Sequence, residues 1–129
     1  MTLRVLLVED NAELRREICE YLCRRSLTVT AVGSVTEARS VLDRSPSSND
    51  ALDVVLCDLN LQDGNGPELY GEFASVHPSC RWILMSGAPD PDALRSARQP
   101  VAGLPPCTIV AKPISLRSLA ALVSAGSSP

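Results

Sequence analysis

The chain has 129 residues and a mass of 13.8 kDa, the size of one domain that can bury a core without disulfides or metals. With 45% hydrophobic and 21% charged residues, its composition is that of a globular protein. The apolar runs are too short to span a bilayer, and no signal peptide precedes the first strand-like run. The net charge of −3 provides no basic surface for nucleic acid. We therefore expect a cytoplasmic domain that neither inserts into a membrane nor binds nucleic acid directly.

Cysteine usage supports the same compartment. The five cysteines contain no CxxC pair, and an odd number without metal-ligand spacing indicates reduced thiols in a cytosolic protein. Cys57 and Cys107 lie inside apolar runs, where cysteine behaves as a small hydrophobic residue. We therefore expect packing roles for these thiols.

Short apolar runs alternate along the chain with longer segments of helical period. The predicted elements, in chain order, are strand Leu3–Val8, helix Ala12–Arg25, strand Leu27–Val32, helix Ser34–Ser45, strand Asp53–Asp58, helix Pro67–His77, strand Arg81–Met85, a short helix from Asp90 that Pro100 ends, strand Cys107–Ala111 and a helix from Ser115 to Ser124. Ser34 and Glu37 form a predicted capping box, and Pro67 occupies a favoured first helical position.

Five strands that alternate with helices predict an α/β domain with a parallel sheet covered on both faces. The near-continuous apolar character of the strands agrees, because parallel strands are buried on both sides. We expect one domain over residues 1–125 and a flexible tail over residues 126–129. In open sheets of this kind, functional sites lie beyond the carboxyl ends of the strands.

Four of the five predicted strands end in a reactive or polar group. The first ends in Glu9 and Asp10, the third in Asp58, the fourth in Ser86 and the fifth in Lys112. The second ends in Val32-Gly33-Ser34, where the pattern indicates nothing beyond a helix cap. An edge position for the second strand, far from the site, would explain its lack of such a group.

These residue types favour phosphoryl chemistry. Three carboxylates at one edge repel each other unless a cation lies among them, and oxygen ligands suit Mg²⁺. Lys112 is the only lysine beside eleven arginines, and it would supply a compact charge to a phosphoryl oxygen. Ser86 would donate a hydroxyl hydrogen to another oxygen. A carboxylate nucleophile that forms an aspartyl-phosphate is known chemistry.

The same residues carry a family resemblance over essentially the full length. The motifs are Val8-Glu9-Asp10-Asn11, Cys57-Asp58-Leu59-Asn60-Leu61 with Gly64-Asn65-Gly66, Met85-Ser86-Gly87-Ala88, and Ala111-Lys112-Pro113. In this order and spacing, the chain resembles a response-regulator receiver domain. The resemblance implies a doubly wound, flavodoxin-like sheet of order 2-1-3-4-5, as in chemotaxis regulators.

The resemblance also implies a role for each matching residue. Asp58 would be the phosphoacceptor, with Ser86 and Lys112 reading the phosphoryl group. Metal ligation would involve Asp10 and Asp58 directly, Glu9 through water, and the carbonyl of Asn60. Phosphoryl-contacting backbone is expected at Leu59, Gly87 and Ala88.

Three features depart from the family pattern. Ile109 occupies a position where the family often has an inward-turning Tyr or Phe, and Gln62 stands where Pro is common. Three prolines in Pro100–Pro106 should make the segment before the fifth strand less helical. These departures concern the signalling face and leave the phosphorylation motifs intact.

The leading hypothesis is a signalling domain rather than an enzyme acting on a separate substrate. It would take phosphate from a histidine kinase or histidine phosphotransfer protein and act on a downstream protein or fused output domain, either alone or as part of a longer regulator or hybrid kinase. One alternative is a Mg²⁺-dependent phosphatase of the haloacid-dehalogenase type, whose D-x-D motif after the first strand is absent here. Another is a pseudo-receiver that only binds proteins.

Overall fold

The computed structural model describes residues 3–44, 51–87, 107–112 and 115–124, with the side chain of residue 60 left undescribed. The strands in these segments are β1 Arg4–Val8, β2 Thr28–Val32, β3 Val54–Asp58, β4 Asn60–Leu61, β5 Gly64–Asn65, β6 Arg81–Ser86 and β7 Cys107–Ala111. The helices in these segments are α1 Ala12–Arg24, α2 Val35–Leu42, α3 Gly66–Phe73 and α4 Leu116–Ser124. Each of the five predicted strands is confirmed to within one residue at its ends.

The main sheet has the order β2-β1-β3-β6-β7, and all of its strands run parallel. When the two long strands β6 and β7 are counted as fourth and fifth, this is the predicted order 2-1-3-4-5. The short strands β4 and β5 form a separate antiparallel pair directly after β3. The register aligns Val8 with Cys57, Asp58 with Met85, and Ser86 with Ala111. Consequently, the carboxyl ends of four strands meet at one edge.

Side chains of the central strands alternate between two apolar layers, as the period of a strand requires. One layer joins β-strand residues to α2 and α3 and includes Leu6, Val55, Trp82, Leu84, Leu42, Leu69 and Phe73. The other joins the sheet to α1 and α4 and includes Val5, Leu7, Leu56, Met85, Ile18, Leu22, Leu119 and Val123. Burial on both faces explains why the sequence shows runs of apolar residues instead of a polar alternation.

Helix starts follow the predicted caps. The Ser34 hydroxyl accepts the amide of Glu37 at 3.1 Å, and the Ser115 hydroxyl accepts the amide of Ser118 at 3.1 Å. In α2 the return contact of the box is made by the Ser34 hydroxyl, which donates to the Glu37 carboxylate at 3.4 Å. At α3 the start differs by one residue from the prediction: the helix begins at Gly66, before Pro67, and its cap is Asn65, whose side chain accepts the amide of Glu68 at 2.9 Å.

Two predicted helix ends are wrong. Helix α2 ends at Leu42 instead of Ser45, with Asp43 as its C-cap. Helix α3 ends at Phe73 instead of His77. The segment after Phe73 turns back so that the buried ring of His77 donates from Nε2 to the carbonyl of Leu42 at 2.8 Å. This contact satisfies a carbonyl at the end of α2, which helix periodicity does not reveal.

The predicted packing role is confirmed for Cys57, which is buried in the core, and for Cys107, which is partly buried and packs against it. Cys57 and Cys80 are buried, and all five thiols are free. Burial raises the pKa of Cys80 to about 12 and that of Cys107 to about 11. Burial therefore disfavours the thiolate, the reactive form, at Cys80 and Cys107.

Several expectations concern residues outside the described segments. These are the short helix from Asp90, the segment Pro100–Pro106, and the tail over residues 126–129.

Candidate functional site

The acidic residues predicted from the strand ends lie together. Glu9 follows β1 and is 1% exposed, Asp58 ends β3 and is 6% exposed, and Asp10 is half-buried. One carboxylate oxygen from each of the three lies within 4.8 Å of the others. We call Glu9, Asp10 and Asp58 the acidic cluster. Its members come from two adjacent parallel strands, whose register brings their carboxyl ends to the same level.

Lys112 lies directly against the acidic cluster. Its Nζ donates to Glu9 Oε1 at 2.6 Å and lies 2.9 and 3.0 Å from the two carboxylate oxygens of Asp58. Burial alone would lower the pKa of Lys112, but the hydrogen bonds to Glu9 and Asp58 outweigh it and raise the pKa. Lys112 therefore stays charged and bridges the two buried carboxyl groups across the sheet.

The two buried carboxyl groups have opposite pKa shifts. Burial raises the pKa of Asp58 to about 7, the neighbouring Glu9 adds to the rise, and Lys112 offsets only part of it. Burial acts in the same direction on Glu9, but its hydrogen bonds to Asp58 and Lys112 outweigh burial, so the pKa of Glu9 is lowered. One lysine is too little positive charge for the whole cluster. A proton or a cation is needed to balance the charge.

Ser86 and Gly87 lie at the neighbouring strand end. Ser86 is the buried last residue of β6, and its carbonyl accepts the amide of Lys112 at 2.7 Å. The exposed Gly87 follows, and a Cβ added there would lie 3.7 Å from Cδ of Lys112. A backbone hydrogen bond therefore joins the two strand ends that carry Ser86 and Lys112. Ala88 lies outside the described residues.

The backbone of Leu59, the residue after Asp58, is hydrogen-bonded through both its amide and its carbonyl. Leu59 is buried, its amide donates to the carbonyl of Met85 at 2.6 Å, and its carbonyl accepts the amide of Gly66 at 2.9 Å. Both polar backbone groups of Leu59 are therefore engaged, which limits the phosphoryl contact expected there. Asn60 begins β4 and pairs with Asn65.

Sequence reasoning missed Asp63, which fixes the connection after Asp58. Its carboxylate accepts the amide of Val35 at 2.9 Å and both the amide and the hydroxyl of Thr36, at 3.1 and 3.0 Å. These bonds cap the N-terminus of α2 from a distant part of the chain, in addition to the local cap at Ser34. The bonds to the Val35 and Thr36 amides lower the pKa of Asp63. An Asp-Gly pair suggests a turn, but the sequence does not indicate which helix it caps.

Sequence reasoning also missed Arg15 and Gly33. The guanidinium of Arg15 donates from Nη1 to the carbonyl of Glu9 at 2.9 Å, and it lies over Gly33 at the end of β2. The end of β2 therefore contributes to the site, contrary to the expectation that Gly33 serves only near a helix cap. In the sequence, the glycine at this strand end could have indicated that another side chain approaches there.

The donor set fits a hard divalent cation. All three ligand-bearing side chains of the acidic cluster are carboxylates, and oxygen-only sets favour Mg²⁺ over soft metals. Burial and the neighbouring Glu9 both raise the pKa of Asp58, and Lys112 offsets only part of that rise, so a bound cation would favour the ionised carboxylate. Among the described helices, none is long and apolar enough to cross a membrane.

Comparison with known proteins identifies the family. The family model described as the response regulator receiver domain matches residues 5–124. Over 120 residues, or 92% of the chain, the protein is 35% identical to the regulatory protein VirG of Agrobacterium tumefaciens (strain 15955) and 32% identical to the sensor kinase CckA of Brucella abortus (strain 2308). These matches cover 41% of VirG and 12% of CckA, so the chain spans less than half the length of either relative.

A solved structure shows the same fold. A CheY-like receiver domain protein from Methanospirillum hungatei JF-1 superposes with a TM-score of 0.81 at 17% identity, covering 98% of this chain and 94% of that one. The family match decides against the haloacid-dehalogenase alternative. The strand order, the site at the carboxyl edge and the match over residues 5–124 lead to one conclusion: the chain belongs to the response regulator receiver domain family of two-component signalling.

Proposed function

We propose that this domain accepts a phosphoryl group on Asp58 from a phosphohistidine and signals through the resulting change in conformation. The observation that carries the proposal is the contact of Lys112 Nζ with both oxygens of the buried Asp58 carboxylate, at 2.9 and 3.0 Å, beside two further carboxyl groups. A lysine and a carboxylate cluster in this arrangement are the parts that phosphoryl transfer to an aspartate requires.

In the proposed reaction, one Asp58 carboxylate oxygen attacks the phosphorus. The new O–P bond forms as the P–N bond of the phosphohistidine breaks, and the donor imidazole leaves with the electron pair of that bond. Lys112, already within hydrogen-bonding distance of Asp58, would then donate to a phosphoryl oxygen. Ser86, at the adjacent strand end, would donate its hydroxyl hydrogen to another phosphoryl oxygen.

The metal proposed for this site is Mg²⁺, held by the carboxylates of Asp10 and Asp58, by Glu9 through water and by the backbone carbonyl of Asn60. When bound, it supplies positive charge that neutralises the transferring phosphoryl group. Burial and Glu9 raise the pKa of the Asp58 carboxyl group, so a cation held beside it would favour the ionised form that acts as the nucleophile. Gly87 and Ala88 would bring backbone close to the phosphoryl group. Leu59 has both polar backbone groups engaged, so we give it a bordering position.

The partners follow from the chemistry. A histidine kinase or a histidine phosphotransfer protein would supply the phosphoryl group, and a downstream protein or a fused output domain would receive the signal. The match to part of a regulatory protein and to part of a sensor kinase supports either setting. The five free thiols fit a reducing compartment, and we place the reaction in the cytoplasm.

The test is phosphoryl uptake from a small donor. The chain is incubated with Mg²⁺ and acetyl phosphate, desalted rapidly and measured by intact mass. We expect one added phosphoryl group in the wild type and none in Asp58→Asn.

Asp53→Asn is the matched control for this test. Asp53 directly precedes the same strand at its opposite end, where its carboxylate accepts the amide of Arg4 at 2.8 Å. This variant should take up phosphate normally. A wild type that takes up none would support the pseudo-receiver alternative, and uptake that persists in Asp58→Asn would place the acceptor elsewhere.

A further inference from the structure

Arg15 contacts the backbone of the acidic cluster rather than its carboxylates. It is half-buried on the first turn of α1, and its Nη1 donates to the carbonyl of Glu9 at 2.9 Å. Its neighbour Arg16 is exposed. The two arginines carry the same charge on the same helix, but only one of them reaches the turn between β1 and α1.

The Glu9 carbonyl depends on this contact. Strand pairing of β1 ends at Val8, and the amide of Glu9 donates to the carbonyl of Val32 at 3.1 Å. Among the described residues, Arg15 is the donor that this carbonyl has, and a buried carbonyl without a donor is costly. The turn is closed by the amide of Asn11, which donates to Glu9 Oε2 at 3.2 Å. Arg15 and Asn11 therefore both contact Glu9 at the turn that carries two predicted metal-binding residues.

Gly33 provides the space that the guanidinium occupies. A Cβ added at Gly33 would lie 2.6 Å from Arg15 Nη1, too close for a van der Waals contact, and 3.4 Å from its Cζ, so the guanidinium would have to move. The backbone of Gly33 is not in the left-handed region, so conformation does not require glycine there. The structure therefore explains the glycine at position 33 by the space that the Arg15 guanidinium occupies.

We infer that Arg15 is a positioning residue for the metal site, acting through the Glu9 carbonyl, and that Gly33 is part of the same device. The inference rests on the proposed function, since it concerns how the acidic cluster is held for Mg²⁺. It assigns a role to the end of β2, the strand end that sequence analysis left without one.

The sign of the effect separates this role from simple electrostatics. Arg15 is positive and lies near the acidic cluster, so its charge by itself opposes cation binding, and removing it would tighten binding. Loss of the bond to Glu9 acts in the other direction, because it frees the turn that carries Glu9 and Asp10. Weaker binding after removal of Arg15 therefore indicates positioning.

The first experiment measures the Kd for Mg²⁺ by titration calorimetry. Partners that orient metal ligands change affinity by about 10–100-fold, and we expect Arg15→Ala to weaken Mg²⁺ binding about tenfold. Arg16→Ala is the charge-matched control, and its Kd should stay within about twofold of the wild type because long-range surface charge is screened. Unchanged or tighter binding in Arg15→Ala would overturn the inference.

The second experiment is a double-mutant cycle with Gly33→Ala. The added methyl group should displace the guanidinium and weaken Mg²⁺ binding in the same direction as Arg15→Ala. In the Arg15→Ala background the same methyl meets no guanidinium, so the double variant should bind as Arg15→Ala does. Independent, additive losses would show that Gly33 and Arg15 do not act together.

Two readouts separate the inference from general destabilisation and from the proposed function. A merely structural Arg15 would lower the urea midpoint without Mg²⁺ and leave the Kd unchanged, which would overturn the inference. In the metal-free Arg15→Ala variant, the Asn11 amide should exchange faster than in Arg16→Ala. If the wild type neither binds Mg²⁺ nor takes up phosphate, the proposed function fails. If it does both and Arg15→Ala binds equally well, only this inference fails.

Discussion

Asp58 and Asp63 lie five residues apart on the connection from β3 to α3, but their carboxyl groups have opposite surroundings. Asp58 is buried beside Glu9, and burial raises its pKa to about 7. Asp63 is exposed and accepts two backbone amides and a hydroxyl at the start of α2, and the amide bonds lower its pKa. The ionised form of an aspartate is therefore destabilised at position 58 and stabilised at position 63.

The comparison shows how this connection combines reactivity with rigidity. A carboxyl group that is held near another and away from water costs folding free energy, and its charge is available for a cation or a phosphoryl group. A carboxylate that meets backbone donors stabilises the loop that follows. Asp63 lies between β4 and β5 and links this short pair, which begins two residues after Asp58, to the start of α2.

The largest effect on stability should come from removing the cation at Asp58. Lys112→Met leaves Glu9 and Asp58 as neighbouring buried carboxyl groups without their shared donor. Breaking such a pair costs about 3–5 kcal/mol when it is fully buried. Because Asp58 can take up a proton, we expect a loss of about 2 kcal/mol in the free energy of urea unfolding without Mg²⁺. Asp58→Asn should instead leave this free energy unchanged or higher, and equal losses in both variants would contradict the comparison.

Magnesium should produce the next largest effect. Binding to the native state alone adds about 1.4 kcal/mol when Mg²⁺ is present at roughly ten times its Kd. Asp10→Asn should weaken the binding and raise the stability of the metal-free protein, since one of the three repelling carboxylates is lost. Thermal melts with and without millimolar Mg²⁺ measure both effects. A wild-type melting temperature that ignores Mg²⁺ would contradict the prediction.

The contribution of Asp63 to stability should depend on pH. Its lowered pKa means that its stabilising contribution is complete above the unfolded-state pKa and is lost as pH falls through the folded-state pKa. Asp63→Asn should therefore lower the urea midpoint at pH 7, and the difference from wild type should shrink as pH falls below the ordinary pKa of an aspartate and through the lower folded-state pKa.

Asp43→Asn is the matched control for the Asp63 prediction, because it removes an exposed charge at the opposite end of α2. A negative charge is unfavourable at a helix C-terminus, so this substitution should be neutral or slightly stabilising. A loss that persists unchanged at low pH in Asp63→Asn would show that its charge is not the cause.

The smallest predicted effect is local and concerns the phosphorylated state. Beryllofluoride, a phosphate mimic, should slow amide exchange at Gly87 and Ala88, because Ser86 gains a charge-assisted hydrogen bond in that state. Ile109 is half-buried, β-branched and without a hydroxyl, so it should not turn inward as a ring would. Exchange at Ile109 and Val110 should therefore change little. Large changes centred on β7 would show that Ile109 is a switch element.

Local sequence patterns were sufficient for the framework. Apolar runs predicted the five long strands, and the residues that follow them predicted that Glu9, Asp58, Ser86 and Lys112 lie at one edge. This works because strand period, helix period and caps depend on neighbours a few residues apart. The ends of α2 and α3 were predicted too far along the chain, because the turn after Phe73 depends on a contact from His77 to Leu42.

Local sequence patterns are enough to state which chemical groups reach the carboxyl edge of the sheet. How those groups are held, and which of them carry charge, depends on contacts between distant parts of the chain. Lys112 meets Glu9 across 103 residues of chain, Asp63 caps α2 across 28, and the space at Gly33 accepts a guanidinium from another element. The pKa of Asp58 likewise depends on burial and on a neighbour from another strand. These contacts join residues that are far apart in the chain, and no local helix or strand period encodes them. They form only when the sheet brings its strand ends together.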